Sequence, residues 1–501
     1  MIRIERGAAQ PLPNFWNHIH FHPTDAIEDD WGRAILDRVA ADRAARTVRL
    51  YAMLEDIVSL DADGRLQYDF SLNDQRLDYL LSKGFSIFLS YNFMPPCIAA
   101  DAGLRSSMSK NRTRYKGKTI TVSPPKDYAL WEEVCRRYTE HLIERYGVQE
   151  VGSWRLQCFN EPDLPAFFMT DLGEGEEADR ERLSEYLRLY EHFARGVRAA
   201  DERLKVGGPS VAWSFRFFEG FLRAVKEKGL PLDFVSIHTY GTDYRFLNDG
   251  SCPFDAQAVP RKIERYHRIL REVFPEGREL IVDEWGASAQ GFFNVEECPA
   301  LMLRERSDYA AYYGKMIAGV VEAGLPLDRM LICLSGQHEM VRDFSGFRNF
   351  FTLHRIRKPI YNAYCLAARM RAARLSVCGK RENLTVLASG DARGEAVLLA
   401  YASPHFDEAL PRLEETILLP AHPGRVRVRV WVIDEEHTNP YALSQREGWE
   451  EPFSPAQLER LRAEGELTPL GEWEAAGDGL CIPISLTNNA LALIETEALG
   501  D

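Results

Sequence analysis

The chain has 501 residues, 45% of them hydrophobic and 27% charged, a make-up expected of a soluble globular protein with room for a large domain and a smaller one. A net charge of −14 argues against non-specific nucleic-acid binding and against an acidic membrane surface, since both need a basic face. Nine scattered cysteines (Cys97, Cys135, Cys158, Cys252, Cys298, Cys333, Cys365, Cys378, Cys481) show no CxxC spacing, which argues against a disulfide framework or a cysteine zinc site. With a polar start and no apolar run of membrane-spanning length, the expected location is the cytoplasm.

In chain order, strand-like and helix-like segments alternate from about residue 15 to about residue 370. Phe15 to His22 is a first strand, followed by a helix near Asp30 to Ala45. Thr47 to Leu54 is the second strand, and its helix, near Asn73 to Lys83, stops at Gly84. Phe85 to Tyr91 is the third, closed by Pro95 and Pro96. Residues Asp101 to Pro125 are rich in Lys, Arg, Ser and Thr and read as a long excursion, after which Lys126 to Tyr146 is helical. Trp154 to Phe159 is the fourth strand, and Pro162 ends it just beyond Asn160 and Glu161. A helix over Arg180 to Asp201 leads to the fifth strand, Leu204 to Gly208, and its helix, Phe215 to Lys228. The sixth strand is Asp233 to His238 and the seventh Glu279 to Asp283, with Pro260 to Val273 helical between them. Glu284 follows the seventh strand. A helix from Asp308 to Ala323, an eighth strand from Arg329 to Leu334 and a closing helix from Pro359 to Met370 complete the series.

Eight such pairs make an α/β fold, a (β/α)₈ TIM barrel, over residues 15–372. From residue 375 to 501 the runs become short and β-rich, as in a C-terminal β-sandwich domain, with a strand from residues 1–14 as a candidate addition.

In such a barrel the tips of the strands form one surface, and chemistry sits there. Glu161 on strand four and Glu284 on strand seven place two carboxylates across the mouth, which suits glycoside hydrolysis: one protonates the leaving oxygen while the other attacks carbon or activates water. His238 and Tyr240, after strand six, are candidate donors to Glu284. Two other readings compete. His18, His20 and His22 alternate on strand one like the ligands of a metal-dependent hydrolase, but strands five and eight offer no matching ligands. A non-catalytic carbohydrate-binding barrel would not need both glutamates.

The stretches SPPKDYALWEEV, SWRLQCFNEPDL, KVGGPS, DFVSIHTYG, IVDEWGAS and IDEEHTNPYA resemble glycoside hydrolase family 39, a retaining family that includes β-xylosidases and α-L-iduronidases, from Phe15 to the C-terminal sandwich. The resemblance implies Glu161 as acid/base, Glu284 as nucleophile, Asn160 on the sugar 2-hydroxyl and Trp285 lining the sugar subsite. The chain departs from the family's glycine-rich tip on strand one (here HIHFHPTD), its R-x-H-G on strand two (here Arg49-Leu50-Tyr51-Ala52), its E-L-G-F-M-P after strand three (here Ser90 to Pro95) and its S-D on strand eight (here Ser335-Gly336). It also lacks the iduronidases' Arg-Lys after the strand-six histidine, where Thr239 and Tyr240 stand. The rewritten tips add His20, Arg49, Tyr51 and Gln337 to the expected substrate contacts. The activity expected is exo-acting retaining hydrolysis of a neutral sugar, a pentose such as xylose or arabinose, with no metal and no cofactor. The partner is an oligosaccharide or glycoside, with no nucleic acid, no membrane and homo-oligomerisation left open.

Overall fold

A computed structural model describes residues 1–22, 24–106, 120–242, 254–291, 293–422, 424–476 and 479–499. The middle of the excursion after strand three, 107–119, and Cys252 lie outside these residues. The strands are β1 (Ile2–Pro11), β2 (His18–Phe21), β3 (Thr47–Tyr51), the hairpin β4 (Val58–Leu60) and β5 (Leu66–Tyr68), β6 (Ser86–Tyr91) and β7 (Arg155–Cys158). They continue with β8 (Val206–Val211), β9 (Phe234–Tyr240), β10 (Glu279–Gly286) and β11 (Arg329–Leu334).

Eight of them close a parallel barrel in the order β10-β11-β2-β3-β6-β7-β8-β9. Their burial is nearly continuous because helices cover the outside and side chains fill the inside. Phe88, Phe234, Ile281 and Leu331 form an apolar plug within the barrel, below the mouth. The helices pack by the stripes legible in the sequence. Glu176–Ala200 buries Tyr186, Leu189, Tyr190, Phe193 and Val197, and carries Glu176, Glu177 and Asp179 in its first turn, where the helix dipole favours them. Tyr128–Tyr146 starts at an Asp127 cap whose carboxylate accepts from the Ala129 N–H, and it stops at Gly147. Gly207 in β8 is required by close approach, since a Cβ there would lie 2.4 Å from the Phe234 carbonyl oxygen.

Beyond the barrel come β12 (Ala373–Cys378), β13 (Leu384–Asp391), β14 (Gly394–Tyr401), β15 (Leu413–Leu418), β16 (Arg425–Ile433), β17 (Gly471–Ala476), β18 (Cys481–Leu486) and β19 (Ala490–Ala498). With β1 they form one nine-stranded sheet, ordered β17-β16-β19-β14-β13-β12-β1-β15-β18. The sheet curls so that Ile4 and Ile417 from one part share a core with Val397, Val428 and Ile494 from the other. In β16, Val426, Val428 and Val430 face that core, while Arg425 and Arg427 pair with Glu474, and Arg429 with Glu497, on the outside. The sheet is fastened to the barrel through the helix Ser307–Glu322, where a Cβ on Gly314 would meet Leu491 at 2.4 Å.

Two short helices between β16 and β17, Pro440–Arg446 and Pro455–Glu464, were not apparent from the β-rich pattern around them. They brace the segment after β11. The Glu451 carboxylate accepts from the Asp343 and Phe344 N–H groups, and Phe344 packs with Leu461 and Phe453. No helix among the described residues is long and apolar enough to cross a membrane.

Candidate active site

The site grows from a break in the alternation of β10. Ile281 points into the plug and Val282 outward, so a regular strand would turn Asp283 in and Glu284 out. The pairing of β10 with β9 slips between Val282 and Glu284, leaving Asp283 as an extra residue. A bulge of this kind re-aims a side chain. Both carboxylates consequently face the interior. A similar slip in β8, between Pro209 and Val211, turns Ser210 inward with a φ of +56°. Phe159 (φ +64°) and Glu161 (φ +48°) are also left-handed, a conformation that costs non-glycine residues energy and that collects at functional sites.

Arg49, fully buried on β3, ties these tips together. Its NH1 lies 3.0 Å from Glu284 Oε1, and its NH2 reaches Asp283 Oδ2 at 3.1 Å, Asn160 Oδ1 at 2.8 Å and Gln157 Oε1 at 2.8 Å. Gln157 in turn donates to Asp283 Oδ2 (2.7 Å) and Ser236 Oγ (2.7 Å), and Ser210 Oγ donates to the same Asp283 oxygen (2.7 Å). Arg49 thus spends these donors on the protein, bridging both carboxylates of β10. The Tyr240 hydroxyl donates to Glu284 Oε2 at 2.8 Å, and the Tyr51 hydroxyl lies 3.4 Å from Oε1. His20 Nδ1 lies 3.0 Å from Glu284 and 2.9 Å from Arg49, while its Nε2 has no hydrogen-bond partner among the described residues.

His238 stands between the two glutamates, with Nδ1 2.8 Å from Glu161 Oε1 and 3.6 Å from Glu284 Oε2. Oxygens of Glu161 and Glu284 and a nitrogen of His238 all lie within 4.8 Å of one another. Burial alone would lower the His238 pKa, but Glu284, Asp283 and Glu161 outweigh it and raise it to about 10, so the ring is cationic at neutral pH. Burial raises Glu161 above the usual carboxylate range against the pull of His238. At Glu284 the same burial effect is overcome by His238, His20 and Arg49, which hold it well below that range. The environment therefore pushes the two carboxyl groups in opposite directions, Glu161 up and Glu284 down.

The placement of Trp285 corrects the sequence reading. It is fully buried behind β10, donating from Nε1 to the Tyr364 hydroxyl at 3.1 Å and stacking on Tyr313 at 5.7 Å. With Glu284 facing in after the bulge, its neighbour must face out, so Trp285 cannot line the mouth. Gln337, by contrast, is buried with both amide atoms unpartnered among the described residues, a state that costs free energy unless a ligand answers it.

Sequence reasoning missed three contributors. Asp283 shares the interior with Glu284 because of the bulge, and the sequence reading had taken only Glu284 from this strand end. Asp163 accepts from the N–H groups of Ala212 (2.8 Å), Trp213 (3.1 Å) and Ser214 (3.0 Å), joining the loops after β7 and β8. Arg348, buried in the segment after β11, donates to the Tyr240 hydroxyl (2.7 Å) and Ser335 Oγ (3.0 Å) and makes no ion pair among the described residues. A lone arginine in a loop carries no periodic signal.

Two sets of potential metal donors occur among the described residues, His20–Glu284–Cys333 and Glu161–His238–Glu284, and neither includes His18 or His22. Both use Glu284, already paired with Arg49, and the second uses a cationic His238, so a metal ion would have to displace positive charge.

A family model described as glycosyl hydrolases family 39 matches residues 1–470. A β-xylosidase of Caldicellulosiruptor saccharolyticus is 28% identical over 88% of this chain and 85% of its own length. An α-L-iduronidase of Canis lupus familiaris is 23% identical over 93% of this chain and 72% of its own length. The crystal structure of a monomeric β-xylosidase from Caulobacter crescentus CB15 superposes with a TM-score of 0.83 at 25% identity, covering 100% of this chain and 99% of the other.

Proposed function

The chain belongs to glycosyl hydrolases family 39 and is a glycoside hydrolase, and on that premise we propose that it is a retaining, exo-acting enzyme that removes a neutral sugar by double displacement. Glu284 is the nucleophile and Glu161 the acid/base. The barrel, residues 15–372, carries the chemistry, and residues 375–501 form an accessory domain. The observation that carries the mechanism is the spacing of the two carboxylates, with oxygens within 4.8 Å. Retaining enzymes hold their pair at about 5–5.5 Å, whereas inverting ones need about 6.5–9.5 Å to admit a water. Proton NMR of the first-formed anomer tests this directly: retained configuration is expected, and an inverted first product would sink the proposal.

In the reaction, Glu161 protonates the glycosidic oxygen as Glu284 attacks the anomeric carbon, forming a glycosyl ester and releasing the leaving group. Glu161, now a carboxylate, then takes a proton from the water that cleaves the ester. Once Glu284 is esterified its negative charge is gone, and the His238 cation 2.8 Å from Glu161 favours the carboxylate form needed for that second step. Asn160 is assigned to the 2-hydroxyl, with His20 Nε2 and Gln337 available to others. Neither step needs a metal. Exhaustive dialysis against a chelator is expected to leave kcat/KM unchanged, and activity lost and then restored by zinc or manganese would return the histidine-cluster reading to favour.

For the sugar, a pentose such as xylose or arabinose is supported by the absence of a basic pair after His238. The neutral Gln337 amide, a donor and an acceptor together, also suits hydroxyl groups. Arg348 favours a second reading, because a buried guanidinium without an ion-pair partner among the described residues could receive a uronate carboxylate. A panel of aryl glycosides decides between them. The highest kcat/KM is expected on a neutral pentoside; a higher value on an iduronide or glucuronide would overturn the neutral reading.

A further inference from the structure

At the end of the barrel opposite the carboxylates, the segments leading into β2, β3 and β6 enclose a cavity of about 380 Å³. That volume falls within the range of small-molecule sites. Its charge runs against that of the chain, which is −14 overall. Arg43, Arg46 and Lys83 contribute three cations, and no carboxylate lines the cavity among the described residues. Lys83 is shared with Asp37 at 2.7 Å, but Arg43 and Arg46 make no ion pair among the described residues. Arg46 gives one nitrogen to the Asn14 carbonyl at 3.0 Å, and partial burial with no counter-charge lowers its pKa from the ordinary arginine value. Both arginines keep an exposed side from which a ligand can reach them. Asn17, in the same lining, is 3% exposed, and its Oδ1 has no hydrogen-bond partner among the described residues. An amide oxygen only accepts, so a ligand that answers it must bring a donor as well as negative charge.

We propose that this cavity binds a small phosphate monoester that carries free hydroxyl groups, a sugar phosphate in chemical class. Three cations around one ligand favour a dianion over a carboxylate, and a phosphate monoester is mostly dianionic at pH 7. Arg43 and Arg46 present planar donor forks to the phosphate oxygens, and the Lys83 ammonium adds a point charge beside them. A hydroxyl group donates to Asn17 Oδ1, while Phe85 and Ala45 face the carbon skeleton. The apolar plug of Phe88, Phe234, Ile281 and Leu331 lies between this cavity and the mouth, so the site does not depend on the glycosidase reading.

Titration calorimetry of the whole chain with glucose 6-phosphate, glucose and inorganic phosphate tests the site. Glucose 6-phosphate is expected to bind and to raise the unfolding temperature. Glucose should do neither, and inorganic phosphate should bind about tenfold more weakly because it has no skeleton for the apolar wall. Arg43→Gln and Arg46→Gln together should weaken glucose 6-phosphate by about tenfold or more, with an unliganded unfolding temperature near that of the wild type. No binding to the wild type at about 10 mM, where even a weak site would show, would overturn the proposal. So would equal affinity for glucose 6-phosphate and inorganic phosphate, or an affinity that the double substitution leaves unchanged.

Discussion

Glu284→Gly is expected to abolish turnover of every glycoside, by a factor on the order of 10⁴ or more, because no glycosyl ester can form without the carboxylate. The leaving group's quality should make no difference. Arg49 keeps Asp283 at 3.1 Å after the change, so the guanidinium is not left without a counter-charge, and thermal unfolding should show a folded protein. The vacated space lies on the face from which Glu284 attacks. Azide entering there should rescue aryl glycosides and give a glycosyl azide of inverted configuration. Full activity in this variant, or rescue with retention, would mean that the nucleophile is another group.

Glu161→Ala should fail in a different way. Loss of a general acid costs about 10²–10⁴-fold where the leaving group needs a proton, as with a sugar alcohol. Dinitrophenyl glycosides need little protonation, so their first step should remain fast. The glycosyl enzyme should then accumulate, since the base for the second step is also missing, and rapid-quench kinetics should show a burst. Azide needs no base and should speed turnover, this time giving a retained glycosyl azide. The two variants therefore yield opposite anomers with the same reagent. Equal losses on good and poor leaving groups, with no azide response, would remove Glu161 from the acid/base role.

How much was legible in the sequence follows from which physical rules were in force. The barrel could be read because parallel strands covered on both faces are short apolar runs, and the helices between them carry one buried stripe. Glu161 could be read because Pro162 fixes where its strand must stop. The alternation rule failed at β10, where the bulge at Asp283 reversed the phase, turning Glu284 inward and Trp285 outward. A bulge depends on the partner strand, and nothing local to IVDEW announces it. Arg348 was out of reach for a related reason. It arrives from a loop held in place by Glu451, a residue more than a hundred positions away.

The place of β1 in the C-terminal sheet sets a timetable for synthesis. Arg3 pairs with Cys378 on one side and with Leu418 on the other, so β1 joins β12 to β15. Its neighbours β12 and β15 are translated only after the whole barrel. At about 5–20 residues per second, the interval between making β1 and making β15 is on the order of 20–80 s. Throughout that time Ile2 and Ile4, which end fully buried, have no core to enter, and both edges of the strand remain open to other chains. The barrel can close on the ribosome while β1 waits for its partner strands.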